Sequence, residues 1–134
     1  MTLYLLDTNA ISDLAANPGG KVAKMIGSVG GDNVCTSLIV ACDIAFGVEQ
    51  KGSERLRRQM DSIMAALPVR ALDKPADRHY GRIRTLLKAE GRPIGPNDLL
   101  IAAHALALDA TLVTANVKEF SRVPELKIEN WIAS

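Results

Sequence analysis

Leu3-Tyr4-Leu5-Leu6-Asp7-Thr8-Asn9-Ala10-Ile11 is the stretch that decides the fold of this 134-residue chain. Its first residues form an apolar run too short for a helix, which reads as a buried strand, and the run ends abruptly at a carboxylate. Thr8 through Ala16 then reads as a helix, stopped by Asn17-Pro18-Gly19-Gly20. A strand that turns directly into a helix, with an acid at the junction, is the opening of a βαβ unit.

The same alternation continues outward from there. Residues 21–29 form a second helix, with Val22, Met25, Ile26 and Val29 on one stripe, and Gly30-Gly31-Asp32 is a turn. Residues 34–36 read as a second strand, after which Ser37 caps a helix running to about Gln50. Residues 53–67 are helical, with Leu56, Met60, Ile63 and Leu67 aligned, and residues 69–72 are a third strand. A helix over residues 76–90 repeats Tyr80, Ile83 and Leu87 and is ended by Gly91. Arg92-Pro93-Ile94-Gly95-Pro96 reads as a loop that cannot be helical. Residues 97–108 are apolar nearly all round and predict a central, buried helix. Strands at 111–114 and, more weakly, 127–129 complete the set. The expected class is α/β: a central parallel sheet of about five strands with helices on both faces, three layers in one domain over residues 1–134.

Composition agrees with such a domain. A chain of this length buries about 68% of its unfolded surface and needs neither disulfide nor structural metal to fold. Aromatic residues are only 4% of the chain, so Ala, Leu, Ile and Val must fill the core. Cys35 and Cys42 lack CxxC spacing and a nearby His cluster, which reads as reduced, partly buried thiols. No apolar run reaches membrane-spanning length, and the few residues before Asp7 cannot hold a signal-peptide core, so a soluble, cytoplasmic protein is expected. Net charge is +1, but its distribution is uneven. Residues 51–92 hold eleven Lys and Arg against five Asp and Glu, whereas the remainder holds five against ten. A basic surface beside a group of carboxylates suits an enzyme that holds a polyanion against bound cations; two solvated helices would give the same count.

In an open parallel sheet, ligands bind beyond the carboxyl ends of the strands. Asp7 follows the first strand, Asp43 lies in the helix after the second, Asp98 in the first turn of the central helix, and Glu119 shortly after the fourth strand. Gathered carboxylates repel one another and some take up protons. A divalent cation reverses this, and Mg²⁺ or Mn²⁺ prefers such oxygen ligands. Each acid also has a plain structural reading: Asp7 as a helix cap, Asp98 as another cap, Glu119 as a surface acid beside Lys118.

Leu5-Leu6-Asp7-Thr8-Asn9 resembles the opening of the PIN-domain nucleases, in particular the VapC toxins of bacterial toxin–antitoxin pairs. The resemblance continues through Thr36-Ser37-Leu38-Ile39-Val40-Ala41 and Tyr80-Gly81-Arg82-Ile83-Arg84, and is densest from Gly91 to Ala105. It closes on Thr111-Leu112-Val113-Thr114, Glu119-Phe120 and Arg122-Val123-Pro124. It implies that Asp7 and Asp98, with Asp43 and Glu119, are the catalytic acids that hold Mg²⁺ or Mn²⁺, with Asn9, Thr114 and Asn116 as hydrogen-bonding neighbours. It further implies hydrolysis of RNA, tRNA among the expected substrates, with arrest of translation. The implied partners are a VapB-type antitoxin and a second copy of the chain. Two positions depart from the family pattern. Cys42-Asp43-Ile44-Ala45 stands where Ala-Glu-Leu-Arg is common, and Asn116 stands where some relatives carry an acid, leaving Glu119 to serve.

Arg82, Arg84 and Arg92 flank the loop leading to Asp98 and are the candidate RNA-backbone contacts. His104 reads as a hydrogen-bonded core residue and Trp131 as a packing anchor. Two other functions compete with RNA hydrolysis. One is a catalytically weak PIN-like module that binds RNA or protein, motivated by Asp43. The other is a phosphatase of the haloacid-dehalogenase type, which needs a second Asp where Asn9 stands.

Overall fold

The computed structural model describes residues 2–132. Its centre is a parallel sheet in the order β3-β2-β1-β4-β5, formed by β1 (Leu3–Leu6), β2 (Val34–Ser37), β3 (Val69–Arg70), β4 (Ala110–Val113) and β5 (Ile128–Glu129). β1 lies in the middle because it is apolar on both faces: Leu5 and Leu6 are wholly buried, as are Leu112 and Val113 beside them. Leu6 is in register with Thr36 on one side and Val113 on the other, so three strands end level with one another. Asp7 and Thr114 therefore leave the sheet side by side, and the Asp7 amide extends the ladder by donating to the Val113 carbonyl at 2.9 Å.

The flanking helices are α1 (Thr8–Ala16), α2 (Lys21–Val29), α3 (Leu38–Lys51), α4 (Glu54–Ala66), α5 (Ala76–Ala89), α6 (Pro96–Ala107) and α7 (Val117–Phe120). The first two match the sequence reading residue for residue. α6 is buried from Leu99 to Ala105 apart from the half-buried Leu100, as its nearly continuous apolar character predicts, and packs against α5 and β4. Ser37 caps α3, its hydroxyl accepting from the Ile39 amide at 3.1 Å. Trp131 is buried against Tyr4, with ring centroids 5.2 Å apart, and serves as the expected packing anchor.

Three local expectations need correction. Pro96 is not the end of a loop but the first residue of α6, where proline's missing N–H would be unpaired anyway. β3 covers Val69–Arg70 rather than residues 69–72, as befits an edge strand with a single neighbour. α7 has no counterpart in the sequence reading, because one turn is too short to show a period.

Candidate active site

Asp7 is 4% exposed and lies at the carboxyl end of the central strand. It is the N-cap of α1, accepting from the amide of Thr8 immediately after it. Its other oxygen accepts from the Thr114 hydroxyl at 2.7 Å and from Asn9 Nδ2 at 3.3 Å. Cap and site acid are thus one residue. Asn9 in turn accepts the Ala115 amide at 2.8 Å, which locks the start of α1 to the end of β4.

Thr114 Oγ1 also accepts the Asn116 amide at 3.0 Å, and the Asn116 side chain donates to Glu119 Oε2 at 3.0 Å. Glu119 is partly buried and close enough to Asp98 to raise that acid's pKa, so it is not an ordinary surface acid. Asp98 occupies the first turn of α6 but caps nothing, since Gly95 is the N-cap and the helix has no side-chain cap. Asp43, in the second turn of α3, accepts from Asn97 Nδ2 at 2.8 Å. All four acids therefore belong to one connected neighbourhood at the strand ends. Sequence reasoning missed Asn97, although its place in the first turn of α6, next to Asp98, was the available signal.

Burial, first, and then the Asp43 charge raise the Asp7 pKa, against the opposing hydrogen bonds from Thr114 and Thr8. The Thr8 hydroxyl lies near that carboxyl yet is buried without a partner of hydrogen-bond geometry. Asp98 is pushed up to about 7 by burial, by its hydrogen bond with Glu119 and that group's charge, and then by Asp7 and Asp43. A cluster that cannot keep its full negative charge is the chemistry a cation would relieve. Among the described residues, no three His, Cys, Asp or Glu side chains stand close enough to hold a metal unaided. Mg²⁺, which takes one or two carboxylates and keeps several waters, would not need such a group.

The remaining candidates divide clearly. Arg84 donates to the Tyr80 hydroxyl at 2.8 Å, Arg82 donates to His79 Nδ1 at 3.0 Å, and Arg92 is exposed beyond α5. Arg122, not singled out from sequence, donates to the Pro93 carbonyl at 3.0 Å and ties the loop before α6 to the end of α7. His104 is buried, with Nδ1 hydrogen-bonded to Ser37 Oγ at 2.8 Å, which is the core role expected of it. Cys42 is exposed rather than partly buried; Cys35 is buried, which pushes its thiol up to about 11. A cavity of ≈ 690 Å³ lies away from the acids, among Leu14, Ile26, Ile63 and Leu67 of α1, α2 and α4 and the residue after α4. A smaller one of ≈ 320 Å³ opens between α1, α3 and α4 and reaches Thr8 and Asp43. No helix of the described residues is long and apolar enough to cross a membrane.

Comparison with known proteins places this geometry. The PIN-domain family model matches residues 4–126. The ribonuclease VapC2 of Rickettsia felis is 36% identical over 131 residues, covering 96% of this chain and 98% of the relative. The tRNA(fMet)-specific endonuclease VapC of Salmonella typhimurium is 31% identical over 98% of this chain and 99% of its own length. Among solved structures, VapBC2 from Rickettsia felis, bound to a DNA fragment from its promoter, superimposes with a TM-score of 0.90. That match has 34% identity and covers 97% of this chain and 99% of the other. A likeness that is this strong in both sequence and fold, and that runs end to end, means that the chain belongs to the PIN-domain family, among its VapC ribonucleases.

Proposed function

We propose that this chain is a metal-dependent endoribonuclease, the toxin of a toxin–antitoxin pair, which hydrolyses phosphodiester bonds of a structured cellular RNA such as tRNA and so inhibits translation. The observation that carries the reading is the buried, triply hydrogen-bonded Asp7 beside an Asp98 whose acidity is suppressed by burial and then by three neighbouring acids. Relatives named as a ribonuclease and a tRNA-specific endonuclease support the substrate class.

Asp7 and Asp98 would hold Mg²⁺ or Mn²⁺, with Asp43 and Glu119 reaching it through its waters. When bound, the ion supplies the charge that offsets these acids and the acidity that makes water a nucleophile near neutral pH. The chain's own residues do the positioning. Thr114 and Asn9 fix the Asp7 carboxylate, Asn116 fixes Glu119, and Asn97 fixes Asp43. The excess of Lys and Arg over residues 51–92 draws in the RNA backbone.

The protein acts in the cytoplasm, where its substrate is, and a cognate VapB-type antitoxin holds it inactive; its likeness to the solved VapBC structures supports such a partner. It also pairs with a second copy of itself. Phe46, 66% exposed, and Leu38 on α3, with Val69 on the edge strand β3 and Leu72 just beyond it, are the apolar side chains available for that contact.

Purified chain freed of any partner should cleave RNA with Mg²⁺ or Mn²⁺ and stop in EDTA. Asp98→Asn should stop cleavage and weaken Mn²⁺ binding measured by calorimetry, with an unchanged circular dichroism spectrum. Full cleavage in EDTA would overturn the metal requirement. The second reading, a catalytically weak binding module, rests on Asp43 standing in place of a longer acid. Multiple turnover by the unaltered chain would remove it.

A further inference from the structure

Two pockets share the Tyr80 ring, and they differ in charge. One, of ≈ 360 Å³, is bordered by Asp73 and Asp77 with Lys74 as its one cation, and suits a polyanion poorly. The other, of ≈ 330 Å³, has Leu87, Ile94 and Leu99 as its apolar lining, with Arg84 and Lys88 among its residues and no acid. Its volume is at the small end of the range for ligand sites, about 300–1,000 Å³. Neither Arg84 nor Lys88 forms an ion pair among the described residues, so both charges remain available to an anion.

This second pocket shares a wall with the acid site. Pro93, Ile94 and Pro96 line the pocket, whereas Gly95, between them, faces Asp98: a Cβ there would meet Asp98 Oδ2 at 3.8 Å. Arg122 holds the same loop through the Pro93 carbonyl. One side of the segment from Pro93 to the start of α6 therefore borders the carboxylates, and the other borders an aromatic ring with two cations that form no ion pair. Arg84 does not cover that ring. Its guanidinium carbon is 5.8 Å from the Tyr80 centroid, while Nη1 sits on the hydroxyl at 2.8 Å, so the contact is at the ring's edge.

We propose that this pocket binds a nucleobase of the RNA next to the cleaved phosphate, with Tyr80 as the stacking surface and Arg84 and Lys88 gripping the adjoining phosphates. The proposal rests on the ribonuclease reading above and assigns it a base-binding subsite. An aromatic face beside unpaired cations is the chemistry by which single-stranded RNA is held, and it tolerates any base because every base has a π-face.

The test uses the full chain carrying Asp7→Asn, so that nothing is cut, with Mg²⁺ present. Two fluorescein-labelled probes of equal charge are compared by anisotropy: an oligo(rA) decamer and an abasic ribose-phosphate decamer. The oligo(rA) should bind about tenfold tighter, within the roughly 5- to 150-fold that one stacked base supplies. Tyr80→Leu should remove most of that preference, and Tyr80→Phe should keep it. Arg84→Gln should weaken both probes alike and lower the slope of log affinity against log salt by about one. An independent readout needs no variant at position 80: a decamer containing 5-iodouridine, irradiated in the complex, should crosslink to Tyr80. A preference unchanged in Tyr80→Leu, or a crosslink confined to peptides outside residues 80–99, overturns the subsite. If the unaltered chain still cleaves RNA, that failure touches the subsite alone; if it neither binds nor cleaves RNA, the ribonuclease reading falls with it.

Discussion

On the strand side of the cleft, Asp7 leaves β1 with its amide still in the sheet ladder and its carboxylate accepting three donors. On the helix side, Asp43 projects from α3 and accepts one donor, the exposed side chain of Asn97 on a different helix. The first acid is positioned by backbone geometry that the core enforces. The second depends on a surface hydrogen bond, a contact that contributes about 1 kcal/mol. A single site is thus built with one rigid flank and one adjustable flank, and chemistry that must not move belongs on the rigid one.

The largest expected effect follows directly. Asp7→Asn keeps the shape and the cap but removes the charge, and should abolish RNA cleavage in a gel assay while the melting temperature holds. Asp43→Asn should leave measurable cleavage. Equal losses from the two would break the contrast between the flanks.

Next in size is Thr114→Val, a near-isosteric change at a fully buried position. It removes the donor to Asp7 and the acceptor for the Asn116 amide together. Groups that orient metal-binding ligands typically account for about 10- to 100-fold in affinity or rate. Single-turnover cleavage should fall by that amount, and an unchanged rate would mean that Asp7 is held without Thr114.

Smaller again is Asn97→Ala, which should slow cleavage about fivefold, the rate equivalent of one net hydrogen bond. If Asn97 acts by holding a short acid in place, Asp43→Glu should make its loss less costly. A double-mutant cycle read in Mn²⁺ affinity as well as rate tests this, and strict additivity would show that Asn97 does not act through Asp43.

These flanks differed as much in how far the sequence could reveal them. Asp7 was legible because a buried strand ending in an acid is a local pattern, and its neighbours Thr8 and Asn9 are local too. Alternating apolar runs give a parallel sheet, but the strand order and Thr114's place beside Asp7 come from long-range register that they do not encode. The bond from Asn97 to Asp43 was not legible. It spans 54 residues and joins two helices whose approach is decided by packing, which no periodicity encodes. Pro96 is ambiguous in the sequence, because proline breaks a helix from inside but is favoured at its first position, where it stands in α6. The subdued acidity of Asp98 is equally hidden, since it arises from burial first and then from Glu119, Asp7 and Asp43 meeting it in space.

The smallest effect concerns how the adjustable flank is anchored. α3 begins at Ser37, whose hydroxyl is bonded to His104 in the buried α6. Burial, and then the Arg70 charge, lower the His104 pKa below its usual 6.5, and the Ala71 backbone opposes them. The folded state therefore holds His104 neutral more firmly than the unfolded chain does. That contribution is fully present above about 6.5 and is lost as pH falls through the lower folded value. Between pH 7.5 and 5.5 the chain should lose more melting temperature than His104→Gln, which has no proton to gain. Hydrogen exchange should show where the loss begins: amides at the start of α3 should lose protection before those of β1 and β4. Parallel melting curves, or protection lost first at β1, would mean that both flanks share one anchor and that the asymmetry around Asp7 ends at its own hydrogen bonds.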